Sequence, residues 1–359
     1  MKRIYCYCLL LAIAFGISAM AQTPREVFKL PAEKQHYVSP TRYSYRLVAE
    51  RLTEGCKTDL ERIEAIYNWV TRNIAYDTSY SIRTADACFD AKKGVCQGYC
   101  ELFYRIAEAA GLRVEIVSGI SRDIYGVVSD AGHAWLFAYT RESYGILLDP
   151  TWDAGSVNNG EFTRGTYHRG WFGVDPKWMI LTHFPGDPSY QLIPRQMSEE
   201  EFRSLDYPLS LHYVYGFDAG EMYSQARERT LSVPKVYSGA AGDFVFLEAP
   251  LQARLEMGKT YTFRVRMKTD KEFILADGRF HSILSGDWEN EGNGIYSINY
   301  TPSSPGKVYL GIREKNAGGS VSTAVVYLVE PEGGNLTEDG KQIVTFRNSI
   351  SSVLSGQDE

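Results

Sequence analysis

Between residues 96 and 148 the hydrophobic pattern changes period once, and that change limits the folds open to the chain. From 96 to 110, Tyr99, Cys100, Phe103, Ile106, Ala107 and Ala110 recur on one helical side, and Gly111 stops the helix. Three runs of strand character follow at 113–120, 133–139 and 144–148, separated by turns that carry Gly and Asp. Connections this short predict antiparallel pairing, with the preceding helix covering one face of the sheet. The expected fold class is therefore α+β.

Upstream, Tyr45, Leu47, Val48 and Leu52 recur at roughly helical spacing before Gly55. Thr58-Asp59-Leu60-Glu61 reads as a capping box, opening a second helix with Ile63, Ile66, Tyr67, Val70 and Ile74 as its buried stripe. Residues 79–90 are polar and without period, and read as a loop that delivers Cys96. Downstream, 150–205 is rich in Trp, Gly and Pro and reads as a wrap over the sheet, with short helices opening at Asp175-Pro176 and at Ser198. Beyond 206, strand-like runs at 230–236, 243–247, 261–267, 294–300, 307–312 and 321–329 predict an all-β sandwich of immunoglobulin-like type.

At the N-terminus, Lys2 and Arg3, an apolar run at 9–17 and Ala19-Met20-Ala21 have the order of a secretory leader. The expected divisions are thus a signal peptide over 1–21, an α+β domain over 22–205, a β-sandwich over 206–330 and a polar tail over 331–359. The reading is secreted or periplasmic: Cys6 and Cys8 precede the apolar run, so no lipid-attachment cysteine is in place, and no run of eighteen apolar residues is available to span a membrane. Without the leader, 36 basic side chains face 44 acidic ones, a formal net charge of −8 that argues against a nucleic-acid partner. Four cysteines then remain, Cys56, Cys88, Cys96 and Cys100, too few for a disulfide scaffold, although a Cys56–Cys88 bridge is left open.

The chemistry-bearing residues fall around Cys96. In Gly94-Val95-Cys96-Gln97-Gly98-Tyr99 a glycine-punctuated loop sets a thiol at a helix N-terminus, where the macrodipole and free N–H groups favour the thiolate. A nucleophilic thiolate needs a base, and the base needs an orienting acceptor. His133 opens the second strand run and Asp149 closes the third, so antiparallel pairing sets them side by side. Cys96, Cys100 and His133 are potential zinc ligands but make an incomplete tetrahedral set, so no metal or other cofactor is expected. Cys100 reads as a small core residue. His168, His183 and His212 receive no role beyond structure.

Gly-Val-Cys-Gln-Gly-Tyr at 94–99, Gly-His-Ala-Trp at 132–135 and Asp-Pro-Thr-Trp at 149–152 resemble the three signature blocks of the transglutaminase-like superfamily of papain-type thiol enzymes. The likeness extends to Trp69-Val70 and to 73–77, and Asp175-Pro176 with Thr182-His183-Phe184-Pro185 is similar to the kyphoscoliosis-peptidase branch. The resemblance implies a papain-like core in which Cys96 is nucleophile, His133 general base and acid, and Asp149 the orienting carboxylate. It also implies an aromatic or amide side chain beside the oxyanion, a place open to Trp69 or Gln97. The implied activity is that of a cysteine peptidase or amidase on a protein or peptide substrate, cell-wall peptide among the candidates, through a thioester. The alternatives are a transglutaminase with an amine acceptor and a non-catalytic envelope-binding or scaffold module on the same fold.

Overall fold

The computed structural model of the chain describes residues 39–123, 126–141, 145–165, 170–205, 210–277, 288–315 and 321–330. The expected leader and polar tail, and His168, lie outside these residues. The helical layer begins with α1 (Arg46–Leu52) and α2 (Asp59–Asn73). Thr58 caps α2 as its motif predicts: its side chain accepts from the Glu61 N–H while Glu61 reaches back to the cap backbone. Ile63, Ile66, Tyr67 and Val70 are fully buried along this helix. β1 (Ala75–Tyr76) then pairs in parallel with β2 (Lys93–Gly94), and between them stands α3 (Ala85–Ala91). That helix corrects the loop expected over 79–90. Thr84 caps it, Lys92 ends it in a left-handed conformation, and its seven residues are too few to display a period in sequence.

α4 (Cys96–Ala109) lies on a five-stranded sheet. β3 (Val114–Arg122), β4 (Val128–Tyr139) and β5 (Gly145–Leu148) pair antiparallel, as their short connections require. The segment expected as a wrap instead completes this sheet. After α5 (Pro150–Ala154) and the hairpin of β6 (Gly155–Asn158) and β7 (Glu161–Arg164), β8 (Phe172–Val174) joins one edge. α6 (Pro176–Thr182) then leads into β9 (His183–Pro185), which pairs with β3 at the other edge. The strand order is β8-β5-β4-β3-β9.

Alternation along β4 divides the core. Ala134, Leu136 and Ala138 join the apolar cluster of α1, α2 and α4. Trp135, Phe137 and Tyr139 belong to a second cluster on the opposite side, which runs on through Trp178 and Tyr213 into the C-terminal β-rich region. The connection passes through α7 (Glu199–Ser204), α8 (Ser210–Val214) and α9 (Ala219–Glu228). The last two lie in the first part of the region expected as an all-β sandwich, ahead of its first expected strand run at 230–236.

The β-rich region holds nine strands among the described residues: β10 (Lys235–Val236), β11 (Phe244–Glu248), β12 (Arg254–Glu256), β13 (Tyr261–Met267), β14 (Lys271–Asp277), β15 (Glu289–Gly292), β16 (Ile295–Tyr300), β17 (Gly306–Glu314) and β18 (Ser322–Glu330). One sheet runs β10-β18-β17-β14 with β12 alongside β18, and the other runs β11-β13-β16-β15. Phe244, Phe263, Val265, Phe273, Leu310 and Tyr327 share the apolar cluster that both sheets feed. No helix among the described residues is long and apolar enough to cross a membrane.

Candidate active site

Cys96 is the first residue of α4, so its N–H has no intrahelical acceptor. The loop before it is held by Asp77, whose buried carboxylate accepts from the N–H groups of Ser79, Ser81 and Ile82 at 3.2, 2.9 and 2.9 Å. Burial opposes that charge, but the Ser79, Ile82 and Ser81 donors outweigh it and hold the carboxyl well below the ordinary range. The knitted loop then receives the chain entering α4: the Val95 N–H donates to the Ile82 carbonyl at 3.0 Å, and the Asp77 N–H to the Gly94 carbonyl at 3.0 Å. The contact is close. A Cβ on Gly98 would stand 2.9 Å from the Ile82 oxygen, so only glycine lets the loop lie against the first turn of α4.

His133 and Asp149 are brought together as the strand pairing predicts. The His133 Nε2–H donates to Asp149 Oδ2 at 2.7 Å. With Nε2 engaged there, Nδ1 is the ring nitrogen left for the hydrogen bond between His133 and Cys96. Asp149 is fully buried and also caps α5: its Oδ1 accepts from the Thr151 and Trp152 N–H groups at 2.8 and 3.1 Å.

A further residue enters the site against expectation. His183, fully buried at the start of β9, sets its Nε2 3.1 Å from the same Asp149 Oδ2, and its Nδ1 lies 2.8 Å from Thr182 Oγ1. The sequence held a signal for it in the Thr-His-Phe-Pro run at 182–185. What brings it to the site, however, is the pairing of β9 with β3, between residues more than sixty positions apart.

The electrostatics follow from these contacts. For Cys96, burial opposes the thiolate, yet the His133 hydrogen bond and charge and the Ala134 N–H lower its titration below the ordinary thiol value. For His133, burial disfavours the imidazolium, but Asp149 and then Cys96 raise it to about 10. Asp149 is likewise penalised by burial and held well below the carboxylate range by His133 and His183. His183, desolvated and facing the His133 charge, falls to about 4 despite its bond to Asp149. The site is therefore a thiol whose ionisation is favoured, set beside an imidazolium, a carboxylate and a neutral imidazole in series at neutral pH. Aromatic rings close around it: Trp152 lies 5.6 Å from the His133 ring and 4.4 Å from that of His183, and Trp135 stacks on His133 at 6.0 Å.

The remaining candidates lie apart from this series. Trp69 packs against Phe89, with the Lys92 ammonium over both rings, on the side of α3. Gln97 donates from Nε2 to Glu101 Oε1 at 3.1 Å, one turn along α4. Neither has a hydrogen bond to the series among the described residues. Cys100 is fully buried in the core, where desolvation pushes its thiol well up. The four cysteines among the described residues, Cys56, Cys88, Cys96 and Cys100, are free of disulfides, so no Cys56–Cys88 bridge is formed. Asp153, one turn past Asp149, accepts from the Tyr67 hydroxyl and the Trp171 N–H, and burial pushes it up to about 7. His133, Asp149 and His183 offer three atoms within 4.8 Å of one another that could take a metal ion. In this arrangement both rings donate to one carboxylate oxygen, so the donor set is already closed on itself.

Comparison with known proteins bears on the domain that holds this site. Residues 46–176 match the model of the Transglutaminase-like superfamily. Kyphoscoliosis peptidase of Homo sapiens is 31% identical over 183 residues, which cover 47% of this chain and 27% of that protein. Hillarin of Drosophila melanogaster is 25% identical over 191 residues, covering 47% of this chain and 23% of its own. The chain thus spans about a quarter of the length of the curated relatives it matches. A solved structure described as a TGase superimposes on 34% of this chain and 32% of its own, at 17% identity and a TM-score of 0.25, too partial to carry an argument.

Proposed function

The chain carries a transglutaminase-like domain of the kyphoscoliosis-peptidase branch, and from that premise we propose that it is a thiol enzyme that cleaves amides through a thioester. The observation that supports this most is the unbroken series from Cys96 through His133 to Asp149, in which His133 favours the thiolate and Asp149 favours the protonated imidazole. The Cys96 thiolate attacks the carbonyl carbon of a peptide or protein amide, and the electron pair moves to the oxygen. The N–H of Cys96, free at the helix start, faces that oxyanion together with the positive end of the α4 dipole. His133 gives its Nδ1 proton to the leaving nitrogen as the C–N bond breaks, which leaves a thioester. Neutral His133 then takes a proton from water, the resulting hydroxide attacks, and the thiolate departs. Asp149 orients the ring and stabilises its charge throughout.

Water as acceptor makes this a peptidase or amidase, and an amine would make it a transglutaminase. We favour water, because nothing in the sequence indicates a second, amine-recruiting site. The reading includes export on the leader at 1–21 and an immunoglobulin-like sandwich over 206–330, the latter supported by the two facing sheets and the parallel pairing of β12 with β18. Wild-type and Cys96→Ala proteins incubated with fluorogenic casein, with and without an added primary amine, test it. Loss of cleavage in the variant is expected, with free carboxylate as the product. Equal cleavage by both proteins would refute the reading, and amine incorporation in preference to hydrolysis would reassign the acceptor.

A further inference from the structure

Asp149 is an ionised carboxylate with no exposure to solvent, and its acceptor sites can be counted. Two carboxylate oxygens offer about four lone-pair directions. Oδ1 takes the Thr151 and Trp152 N–H groups, and Oδ2 takes His133 and His183. Four donors fill four sites, and His183 is the one that neither the triad nor the helix cap explains. Because Asp149 can only accept, the His183 nitrogen facing it must carry a proton, which leaves Nδ1 as acceptor in the neutral ring. Thr182 Oγ1, 2.8 Å from Nδ1, can supply the matching hydroxyl hydrogen, in competition with the Met179 carbonyl at 3.1 Å.

Resting on the thiol-enzyme reading, we propose that His183 is a positioning residue that shares Asp149 Oδ2 with His133 and thereby limits how strongly the carboxylate holds the His133 proton. Two N–H groups on one oxygen compete for the same charge, and the donor at 3.1 Å weakens the one at 2.7 Å. This matters because His133 has to release its proton to a leaving nitrogen. An acid held too tightly is a poor one, and transfer is most efficient when the catalytic group titrates near the working pH. Burial opposes the charge on His133, yet Asp149 already raises its titration to about 10, so a carboxylate left entirely to it would move it further from that optimum. The charged and titratable groups facing His183 are Asp149 and His133, with Thr182 at its other nitrogen and the rings of Trp135, Trp152 and Trp171 around it.

The direction of this effect separates it from packing. Loss of a packing residue would loosen the His133–Asp149 bond, whereas loss of a competing donor would tighten it. NMR of the full-length protein labelled with ¹⁵N at histidine reads both the His133 Nε2–H resonance and its titration, and requires no substrate. In His183→Phe the resonance is expected to move downfield, with the proton affinity of His133 rising about tenfold, one pH unit. In His183→Gln, whose side-chain amide N–H replaces Nε2–H, both are expected to stay near wild type. Thr182→Val keeps the ring but removes the hydroxyl at its Nδ1, and is expected to fall between, so it decides the matter should His183→Phe not fold. An unchanged or upfield resonance in His183→Phe, or a His183→Gln protein indistinguishable from it, would overturn the proposal. Undiminished amide cleavage by Cys96→Ala would remove the enzymatic reading but leave these resonances to be judged separately.

Discussion

Gly119 sits in β3 between two functional strands, opposite His133 of β4 on one side and Pro185 of β9 on the other. A Cβ there would lie 2.1 Å from the Phe184 carbonyl oxygen, 2.9 Å from Pro185 Cα and 2.8 Å from the Trp135 ring. The first two are backbone atoms, so no side-chain rotation relieves the clash. Ordinary contact begins near 3.4 Å, so β9 must retreat by about 1.3 Å in Gly119→Ala. His183 begins that strand at 3.1 Å from Asp149, and the same retreat takes it beyond hydrogen-bond range.

The expected cost is about 1–3 kcal/mol of overpacking, or about 2–4 °C of melting temperature per kcal/mol for a domain of this size. The His133 resonance should move downfield as in His183→Phe. Gly55→Ala is the control. It forces alanine into a left-handed backbone, which Gly119→Ala does not, at about 1–2 kcal/mol, but with nothing within 4 Å of the new methyl and no contact with the site. Differential scanning calorimetry and histidine NMR of both variants make the comparison. A Gly119→Ala protein that melts with wild type and keeps its His133 resonance would refute the reasoning, since it would mean that β9 does not press on β3.

Three further outcomes follow from the same contacts. Asp77→Asn removes the charge from several hydrogen bonds in the loop behind Cys96 and should cost about 1.5–3 kcal/mol. Because the folded carboxyl titrates below its unfolded value, its contribution is full above about pH 4 and lost as pH falls further, so the variant should show a shallower acid limb in its stability profile. Thermal melts across pH should show two opposing limbs at the site. His133, raised to about 10, contributes stability that is complete below about pH 6.5 and lost as pH rises through 10. His183, lowered to about 4, costs stability as pH falls from about 6.5 towards 4, so His183→Phe should flatten the acid side, while its basic limb moves up with the His133 titration. Thr58→Ala breaks the capping box of α2 and should cost about 1 kcal/mol by urea denaturation, without altering Cys96 reactivity.

How much of this was legible in the sequence depends on the reach of each interaction. The capping box at Thr58 and the helical stripe of α4 are local, and both could be read directly. The meeting of His133 with Asp149 was readable because a short connection fixes the antiparallel pairing of β4 and β5. α3 escaped notice because two turns of helix carry too few apolar positions to declare a period. α8 and α9 were not read at all, being short helices in the region assigned to the all-β sandwich. His183 was the chief omission at the site. Its partners are Thr182, next to it, and Asp149, 34 residues earlier, and only a sheet edge built from both ends of the domain unites them. Gly119 holds the matching clue, a glycine inside a strand, which marks a close backbone approach without saying what approaches.

The central claim is that Cys96 ionises more readily than an ordinary thiol because His133, kept protonated by Asp149, lies beside it. The rate of Cys96 alkylation by iodoacetamide, followed by mass spectrometry from pH 4 to 10 in the wild type and in His133→Ala, measures this most directly. The account predicts a wild-type midpoint below the ordinary thiol value of about 8.5, and a return towards that value, or above it, once His133 is removed. A wild-type profile that already follows an ordinary thiol, or one that His133→Ala leaves in place, would contradict it.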